Sequence, residues 1–431
     1  MKKIKVLLIT SMSWREDNNI GNSYTNLFGD IEEIEIAHIY CRDELPYNSK
    51  VTQYFQISEK KLIKQIFNRS IKTGRHFILD ASNNENNEPQ SKAYNKLRIL
   101  RWELFFILRD LIWTLGKWET KEFYDFVEKF NPDIIFGTLT YMPNINIMIN
   151  TLQKKYKKPT ILYSWDDVYS LKHYSLNPLF WIRKFYQRYF IKEVVKKTSI
   201  LYTITSEMKE EYSKYFNKEC KILYKSYNFS NTPPKISNIK IPYKLVFMGN
   251  MGAGRWNALA ALVKALTEIN NKKTIATLDI YSLSPRSKEM IKVLNVKGTS
   301  QLMDKAPQNK IMEIQQNADI LVHVEPLNKK DASFYRLSFS TKIVDYLYNA
   351  KCIIGIGRKT ATLSYLEENN TGIVLYDTKN MKNKLIQLFN NPSLVMEYGE
   401  NAWKCGVQNH KREKIRHMLI NDFNKTINKE K

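Results

Sequence analysis

The sequence predicts an α/β protein with two domains, each built around a largely parallel sheet covered by helices. Three observations support this prediction. The chain has 431 residues, more than one hydrophobic core usually serves. Continuous apolar runs alternate with helical patterns, as in parallel sheets that are buried on both faces. The alternation restarts after NFSNTPPKISNIKIP (228–242), whose prolines and polar residues indicate a linker.

The first domain is predicted to span 1–230, with a helix near 22–29 after its first strand. Residues 51–91 are polar and basic and end in the loop DASNNENNEPQSK (80–92). The strands are predicted where the chain is continuously apolar. In order they are KVLLIT (5–10), IEIAHIY (34–40), the end of DFVEKFNPDIIFGTL (125–139), the start of PTILYSWDD (159–167), ILYTIT (200–205) and KILYKSY (221–227).

The second domain is predicted to span 243–410, after a linker at 231–242. Its strands are KLVFMGN (244–250), TLDIYS (277–282), DILVHVE (319–325), CIIGIG (352–357) and GIVLY (372–376). Its helices are predicted at 257–269, 307–318, 341–349, 378–391 and 393–405. A last helix is predicted at 411–429, within a terminal segment 411–431.

The chain is strongly basic, with 67 Lys+Arg against 43 Asp+Glu and a net charge of +24. Such an excess predicts an anionic partner: nucleic acid, acidic lipid or a phosphorylated substrate. The four cysteines form no CxxC pair, which argues against structural zinc and favours a reducing cytoplasm. The apolar run in MKKIKVLLITS is too short for a signal peptide. The longest uncharged run (134–153) contains glycine and proline, so no membrane-spanning helix is predicted.

The loop in FMGNMGAGRW (247–256) joins a buried strand to a helix. It is neither GxGxxG nor a Walker loop. Glycines let a bound group approach the backbone, the following helix offers free N–H donors, and Arg255 could grip a phosphate. The alternative is an ordinary turn between a strand and a helix.

The stretch SFSTKIVDYL (338–347) repeats this arrangement at a second helix start. Ser338, Ser340 or Thr341 could cap the helix, while its N–H groups and Lys342 face an anion. Asp345 lies about one turn further on and could accept hydrogen bonds from a sugar or a ribose. The alternatives are plain capping and a solvated lysine.

Two more candidates follow strand ends, where open α/β sheets bind ligands. Glu325 follows the strand in HVEPL (323–327), with capping or pairing to nearby lysines as its alternative. In YSWDD (163–167), Asp166 or Asp167 could accept the proton of an acceptor hydroxyl. A turn or a salt bridge is the commoner role of such a pair. His173 is a further, weaker candidate.

Two basic aromatic stretches, 98–118 and 177–197, mix Trp, Phe and Tyr with Arg and Lys. On one helical face this mixture suits an anionic lipid interface, and it would also suit stacking on single-stranded nucleic acid. The third interpretation is a pair of amphipathic core helices with charged outer faces.

In order and spacing, FMGNMGAGR, NADILVHVEPL, SFSTKIVDYLYNAKCIIGIG and LEENNTGIVL resemble the donor domain of GT-B glycosyltransferases of the family-four type, over roughly 243–410. The resemblance implies two Rossmann-like domains facing a cleft, with the helix of 411–431 crossing back to the first domain. It also implies a nucleotide diphosphate sugar as donor, with the diphosphate near the glycine loop and the 338–342 helix start, and the ribose near Asp345.

The candidate residues fall into two groups. The catalytic candidates are Asp166, Asp167, Arg255 and Lys342. The donor-binding candidates are Gly249, Asn250, Gly252, Glu325, Ser338, Phe339, Ser340, Thr341 and Asp345.

The chain departs from the family pattern at two positions. Asp345 fits the second of the family's paired acids, but Leu337 stands at the first. Ala260 stands where the family has a phosphate-binding lysine, and Lys342 is expected to supply that charge. No metal is predicted, because Asp319 and Asp331 are isolated in the donor half.

The predicted function is transfer of a sugar from a nucleotide diphosphate sugar to a glycan or lipid-linked acceptor in surface polysaccharide assembly. The reaction is expected to be retaining and to need neither metal nor cofactor. The protein is expected in the cytoplasm, also peripherally on the inner face of the cell membrane. One alternative is a catalytically inactive GT-B protein that serves assembly. A nucleic-acid-binding protein is disfavoured, because the basic residues are spread over many helices.

Overall fold

The structure is a computed structural model that describes residues 3–17, 19–51, 53–79, 103–234 and 239–429. The predicted loop at 80–92, the start of the basic aromatic stretch 98–118 and part of the predicted linker 231–242 lie outside the described residues. Contacts divide the chain into two units. The first comprises Met1–Leu171, Ser175–Leu223 and Glu413–Lys431, and the second comprises Lys172–Tyr174 and Tyr224–Arg412.

The first unit contains an eight-stranded sheet of order β4-β3-β2-β1-β5-β6-β7-β8. All neighbours are parallel except β3 and β4, an antiparallel pair at one edge. Five of the six predicted strands are confirmed, whereas of KILYKSY (221–227) only residues 221 and 222 lie in a strand. The edge pair arises inside the polar region 51–91. The strands are β1 Ile4–Thr10, β2 Ile34–Tyr40, β3 Gln53–Ile57, β4 Gly74–Ile78, β5 Ile134–Leu139, β6 Thr160–Ser164, β7 Ile200–Thr203 and β8 Cys220–Ile222.

Helices cover this sheet, and several carry the caps that their sequences predict. Ser58, Thr120 and Thr205 each accept a bond from a backbone N–H of the first turn that follows, which satisfies a donor that has no partner within the helix. The helices are α1 Asn19–Phe28, α2 Glu59–Phe67, α3 Glu103–Leu115, α4 Lys121–Phe130, α5 Pro143–Tyr156, α6 Pro178–Lys196 and α7 Ser206–Phe216.

The second unit contains a six-stranded, wholly parallel sheet of order β11-β10-β9-β12-β13-β14. Counted within the unit this is the order 3-2-1-4-5-6 of doubly wound nucleotide-binding sheets. Leu245, Phe247, Val322 and Ile354 are fully buried in its core. The strands are β9 Tyr243–Met248, β10 Ala276–Tyr281, β11 Ser300–Met303, β12 Ile320–Val324, β13 Cys352–Ile356 and β14 Gly372–Leu375.

Eight α-helices of the described residues belong to the second unit. A 3-10 turn at Gln308–Lys310 precedes the third of them. They are α8 Arg255–Ile269, α9 Lys288–Leu294, α10 Ile311–Gln316, α11 Lys329–Tyr335, α12 Lys342–Tyr348, α13 Ala361–Glu368, α14 Met381–Phe389 and α15 Pro392–His410.

The last helix, α16 (Arg412–Lys429), returns to the first unit. Its buried Asp422 accepts a hydrogen bond from Tyr202 at 2.5 Å and an ion pair from Lys221 at 2.6 Å. Leu419 and Phe423 on the same helix are fully buried. The predicted return of this helix is therefore confirmed.

Candidate functional site

The candidate site lies at the carboxyl edge of the second sheet, between β9 and β12. The strand order reverses here, so the following loops diverge and leave a crevice. β9 ends at Met248 and continues into Gly249, while β12 ends at Val324 and continues into Glu325. The two strands pair in register, with Leu245 opposite Ile320. The glycine loop and HVEPL therefore meet at one place.

The loop after β9 turns tightly and aims α8 at the crevice. Asn250 accepts a bond from the backbone N–H of Gly252 at 2.6 Å, so its side chain helps to fold the loop. Ala253 and Gly254 take left-handed φ angles of 53° and 74°, a conformation that glycine adopts without strain. Arg255 is consequently the first residue of α8.

The Arg255 side chain is fixed by two contacts. Its Nη2 lies 3.1 Å from Oε2 of Glu325, and its guanidinium lies 4.0 Å from the ring centre of Tyr335. The other oxygen of Glu325 lies 3.1 Å from Nε2 of His323. The Glu325 and His323 side chains are almost fully buried. Glu325 thus pairs with an arginine and a histidine instead of the lysines that the sequence suggested.

Burial and partners set the charges of this trio. Burial lowers the pKa of His323, although Glu325 opposes that change. For Glu325, burial alone would raise the pKa, but His323 and Arg255 outweigh it and lower the pKa. At neutral pH the trio therefore consists of a neutral imidazole, a carboxylate and a guanidinium.

Lys342 approaches the same crevice from the start of α12. Its Nζ donates to the carbonyl oxygen of Met248 at 3.1 Å. A Cβ at Gly249 would lie only 2.8 Å from this Nζ, so the glycine makes room for the amine. Burial and the charge of Arg255 lower the Lys342 pKa to about 7, and Glu325 partly offsets them. Lys342 is therefore not a solvated surface lysine.

The segment before α12, where the sequence predicted donor-binding residues, makes several contacts within the protein itself. The Ser340 N–H donates to Oγ1 of Thr362 at 3.0 Å, and the same Thr362 hydroxyl donates to the Ser338 carbonyl oxygen. Phe339 is buried, with its ring centre 5.1 Å from that of Tyr365. Its side chain is part of the core, which leaves only its backbone for a ligand.

No side-chain capping bond forms at Thr341, the residue that precedes α12. Instead, its carbonyl oxygen accepts a bond from Lys225 at 3.3 Å, and Asp345 pairs with the same lysine at 3.4 Å. The Asp345 side chain is 31% exposed. Burial raises its pKa, and Lys225 opposes that change. Sequence reasoning missed Lys225, which lies far away in the chain and belongs to no motif.

Both departures from the family pattern have a visible structural consequence. Leu337 is 1% exposed, so this position offers no polar atom of a side chain to a ligand. Ala260 packs against the hydrophobic core of the unit. The second cation beside Arg255 therefore comes from α12, through Lys342.

In the first unit, the two acids that follow β6, Asp166 and Asp167, differ in their exposure to solvent. Asp167 is buried and accepts bonds from the backbone N–H and the hydroxyl of Ser170, and from Tyr212 at 3.4 Å. Asp166 is exposed. His173 groups with the second unit, where its ring centre lies 5.1 Å from that of Phe334.

Within the described ranges, no three His, Cys, Asp or Glu side chains are grouped as metal ligands would be. Among the helices of those same ranges, none has both the length and the apolarity to cross a membrane.

Comparison with known proteins identifies solved structures that have a similar fold. No family profile and no curated protein matches the sequence. Many solved structures are similar to this chain, and three of them illustrate the likeness over nearly its whole length. Anabaena HepE in complex with UDP has 8% identity and a TM-score of 0.63, covering 98% of this chain and 100% of HepE. Sucrose-phosphate synthase from Thermosynechococcus elongatus has 10% identity and a TM-score of 0.62, covering 98% and 99%. A glycosyltransferase from Rickettsia africae has 14% identity and a TM-score of 0.60, covering 99% of both chains.

These neighbours are GT-B glycosyltransferases, and the protein has the GT-B glycosyltransferase fold. The fold that the sequence motifs predicted is therefore confirmed. HepE was also solved with UDP-glucose.

Proposed function

We propose that the protein is a glycosyltransferase that moves a sugar from a nucleotide diphosphate sugar to a glycan or lipid-linked acceptor in surface polysaccharide assembly. The observation that carries this proposal is the position of Arg255 and Lys342 at the switch point of the second sheet, where the Lys342 amine lies beside Gly249. A fixed guanidinium and an amine that a bound diphosphate would keep protonated suit a diphosphate, since arginine and lysine are the side chains that bind phosphate oxygens.

In this mechanism the bond between the sugar carbon and the diphosphate oxygen breaks, and negative charge grows on the departing diphosphate. Arg255 is oriented in advance by Glu325 and Tyr335, so it stabilises that charge without reorganising. Lys342 holds a proton once the diphosphate is bound. With both cations in place the transfer needs no metal, and by resemblance to the family it retains the configuration of the sugar.

The remaining residues have supporting roles in the proposal. Asp166 takes the proton of the acceptor hydroxyl as the new glycosidic bond forms, because it is the exposed acid of its pair. Asp345 accepts a ribose hydroxyl on its exposed side while Lys225 holds the other side. All four cysteines are free and buried, which suits the proposed cytoplasmic location.

Arg255→Ala tests the assigned site. Calorimetric titration and transfer assays with a panel of nucleotide sugars are expected to show at least a tenfold loss of donor affinity, with transfer reduced in parallel. The matched control is Arg416→Ala, which removes an arginine from an ion pair with Glu33 in the first unit. Full activity of Arg255→Ala would remove Arg255 from the mechanism.

The second candidate function is that of an inactive GT-B assembly protein. It is supported by Leu337, a buried apolar residue at a position where the family has an acid, and the same assays test it. Saturable nucleotide-sugar binding without transfer to any acceptor, and without hydrolysis of the donor, would favour it.

A further inference from the structure

Helix α6 carries its apolar side chains outward over its first three turns. Ile182, Phe185 and Tyr189 are 63%, 58% and 63% exposed. On the opposite side of the same turns, Arg183 and Lys184 are buried. A helix that faces water has the reverse arrangement, so the interpretation as a core helix with a charged outer face fails for this part of α6.

Helix α3 is inverted in the same way. Leu104, Leu108, Leu111 and Leu115 are 49%, 46%, 48% and 58% exposed. Their spacing of four, three and four residues places them on one stripe. The charged Asp110 of this helix is buried.

A buried ion pair joins the two helices. Nε of Arg183 lies 2.8 Å from Oδ2 of Asp110, and both side chains are only 8% exposed. The guanidinium also lies 4.8 Å from the ring centre of Phe106 on α3. The polar contacts that usually face water thus hold the helices together, while their apolar stripes face outward. We call the two stripes the outer apolar face: Leu104, Leu108, Leu111, Leu115, Leu179, Ile182, Phe185, Tyr186 and Tyr189.

We propose that the outer apolar face binds the surface of an anionic lipid bilayer, with both helices lying in the plane of the interface. Nine large apolar or aromatic side chains, each at least 39% exposed on two helices that an ion pair joins, mark an interaction site. Tyrosines such as Tyr186 and Tyr189 suit the boundary between acyl chains and headgroups, since one end is apolar and the other polar. The proposal does not depend on the proposed function, because it concerns a different surface.

The positive charge of the segment 171–197 favours an anionic bilayer over a protein as the partner of this face. In the segment 171–197 only Glu193 is acidic. Three of its lysines are exposed just beyond the apolar part of α6, where they would reach anionic headgroups. The basic residues of the segment are Lys172, Arg183, Lys184, Arg188, Lys192, Lys196 and Lys197.

The test is co-sedimentation of the full chain with vesicles of phosphatidylcholine, alone or mixed with phosphatidylglycerol. We expect binding to the anionic vesicles that weakens as salt is raised. The double variant Ile182→Asp, Phe185→Asp is expected to reduce binding at least tenfold. The matched control is the double variant Ile291→Asp, Met396→Asp, which places the same two charges on exposed apolar positions of the second unit, 45% and 38% exposed, and should bind as the parent does.

A second measurement keeps the test independent of these variants. Tryptophan fluorescence should be quenched by vesicles of brominated lipid, because Trp181 lies on α6. Absence of binding to anionic vesicles, or absence of quenching, would overturn the proposal. So would a dimer of the parent that the double variant disperses, because a second copy would then cover the face.

Discussion

Binding of a nucleotide sugar is expected to weaken as the pH rises above about 7, because Lys342 must be protonated to hold the diphosphate. In the free protein its pKa is lowered to about 7 by burial and by Arg255. A bound diphosphate favours the ammonium form and raises that pKa. The affinity is therefore full below pH 7 and falls as the pH rises from 7 toward the pKa of the complex.

The size of the effect follows from proton linkage. Each pH unit above 7 costs up to about 1.4 kcal/mol of binding free energy, which is tenfold in the dissociation constant. Because half of the Lys342 amine is already neutral at pH 7, the dissociation constant is expected to rise up to about 16-fold between pH 7 and pH 8.5. A nucleotide sugar is a suitable probe, because both of its phosphates are esterified and keep their charge over this range.

The free protein shows the opposite trend. Since the folded pKa of Lys342 lies below the ordinary value of 10.5, the free energy of unfolding rises as the pH increases from 7 to 10.5. The gain is at most about 5 kcal/mol, at about 1.36 kcal/mol for each pKa unit. Lys342→Met should therefore be more stable than the parent at pH 6.5, and bind the donor more weakly.

Isothermal titration of the parent, Lys342→Met and the control Lys292→Met at pH 6.5, 7.5 and 8.5 tests this reasoning. Buffers of different ionisation enthalpy count the protons taken up on binding. The parent and Lys292→Met should take up close to one proton at pH 8.5, and Lys342→Met none. An unchanged pH dependence in Lys342→Met would refute the role given to this lysine.

Three further predictions concern the other acids. Asp166→Asn should lower transfer, because it removes the proposed base, whereas Asp167→Asn should cost about 1–3 kcal/mol of stability in urea denaturation, because it disturbs buried hydrogen bonds; full transfer in Asp166→Asn would remove Asp166 from the mechanism. Asp110→Ala should cost about 3–5 kcal/mol in urea denaturation, since it leaves the Arg183 guanidinium buried without its partner; a cost below about 1 kcal/mol would show the pair to be unimportant. Glu325→Gln should weaken donor binding about tenfold by titration, because Arg255 loses the carboxylate that orients it; unchanged affinity would argue against that positioning.

The sequence alone predicts the parallel sheets well, because their strands are continuous apolar runs. It misses β3, β4 and β11, since QYFQI and SQLM are half polar and GRHFI lies exposed, and β4 and β11 are edge strands of their sheets. Edge strands bury one side or less, so their pattern resembles that of a loop.

The sequence predicts those residues of the site that directly follow the ends of strands. Arg255 and Glu325 come together because parallel strands end at one edge. The contact of Lys342 with Met248 and the contact of Lys225 with Asp345 depend on how helices pack, which local spacing does not encode. Likewise, the alternation of polar and apolar residues in α6 fixes its two faces but not which of them turns inward.

The division of the chain into units has a consequence for its synthesis. The main segment of the second unit, Tyr224–Arg412, is made before the helix that completes the first unit. Its parallel sheet lies within that one segment, so it can fold as soon as the segment has left the ribosome. The first unit must wait until Asp422 reaches Tyr202 and Lys221. The half of the protein that is translated first is therefore finished last.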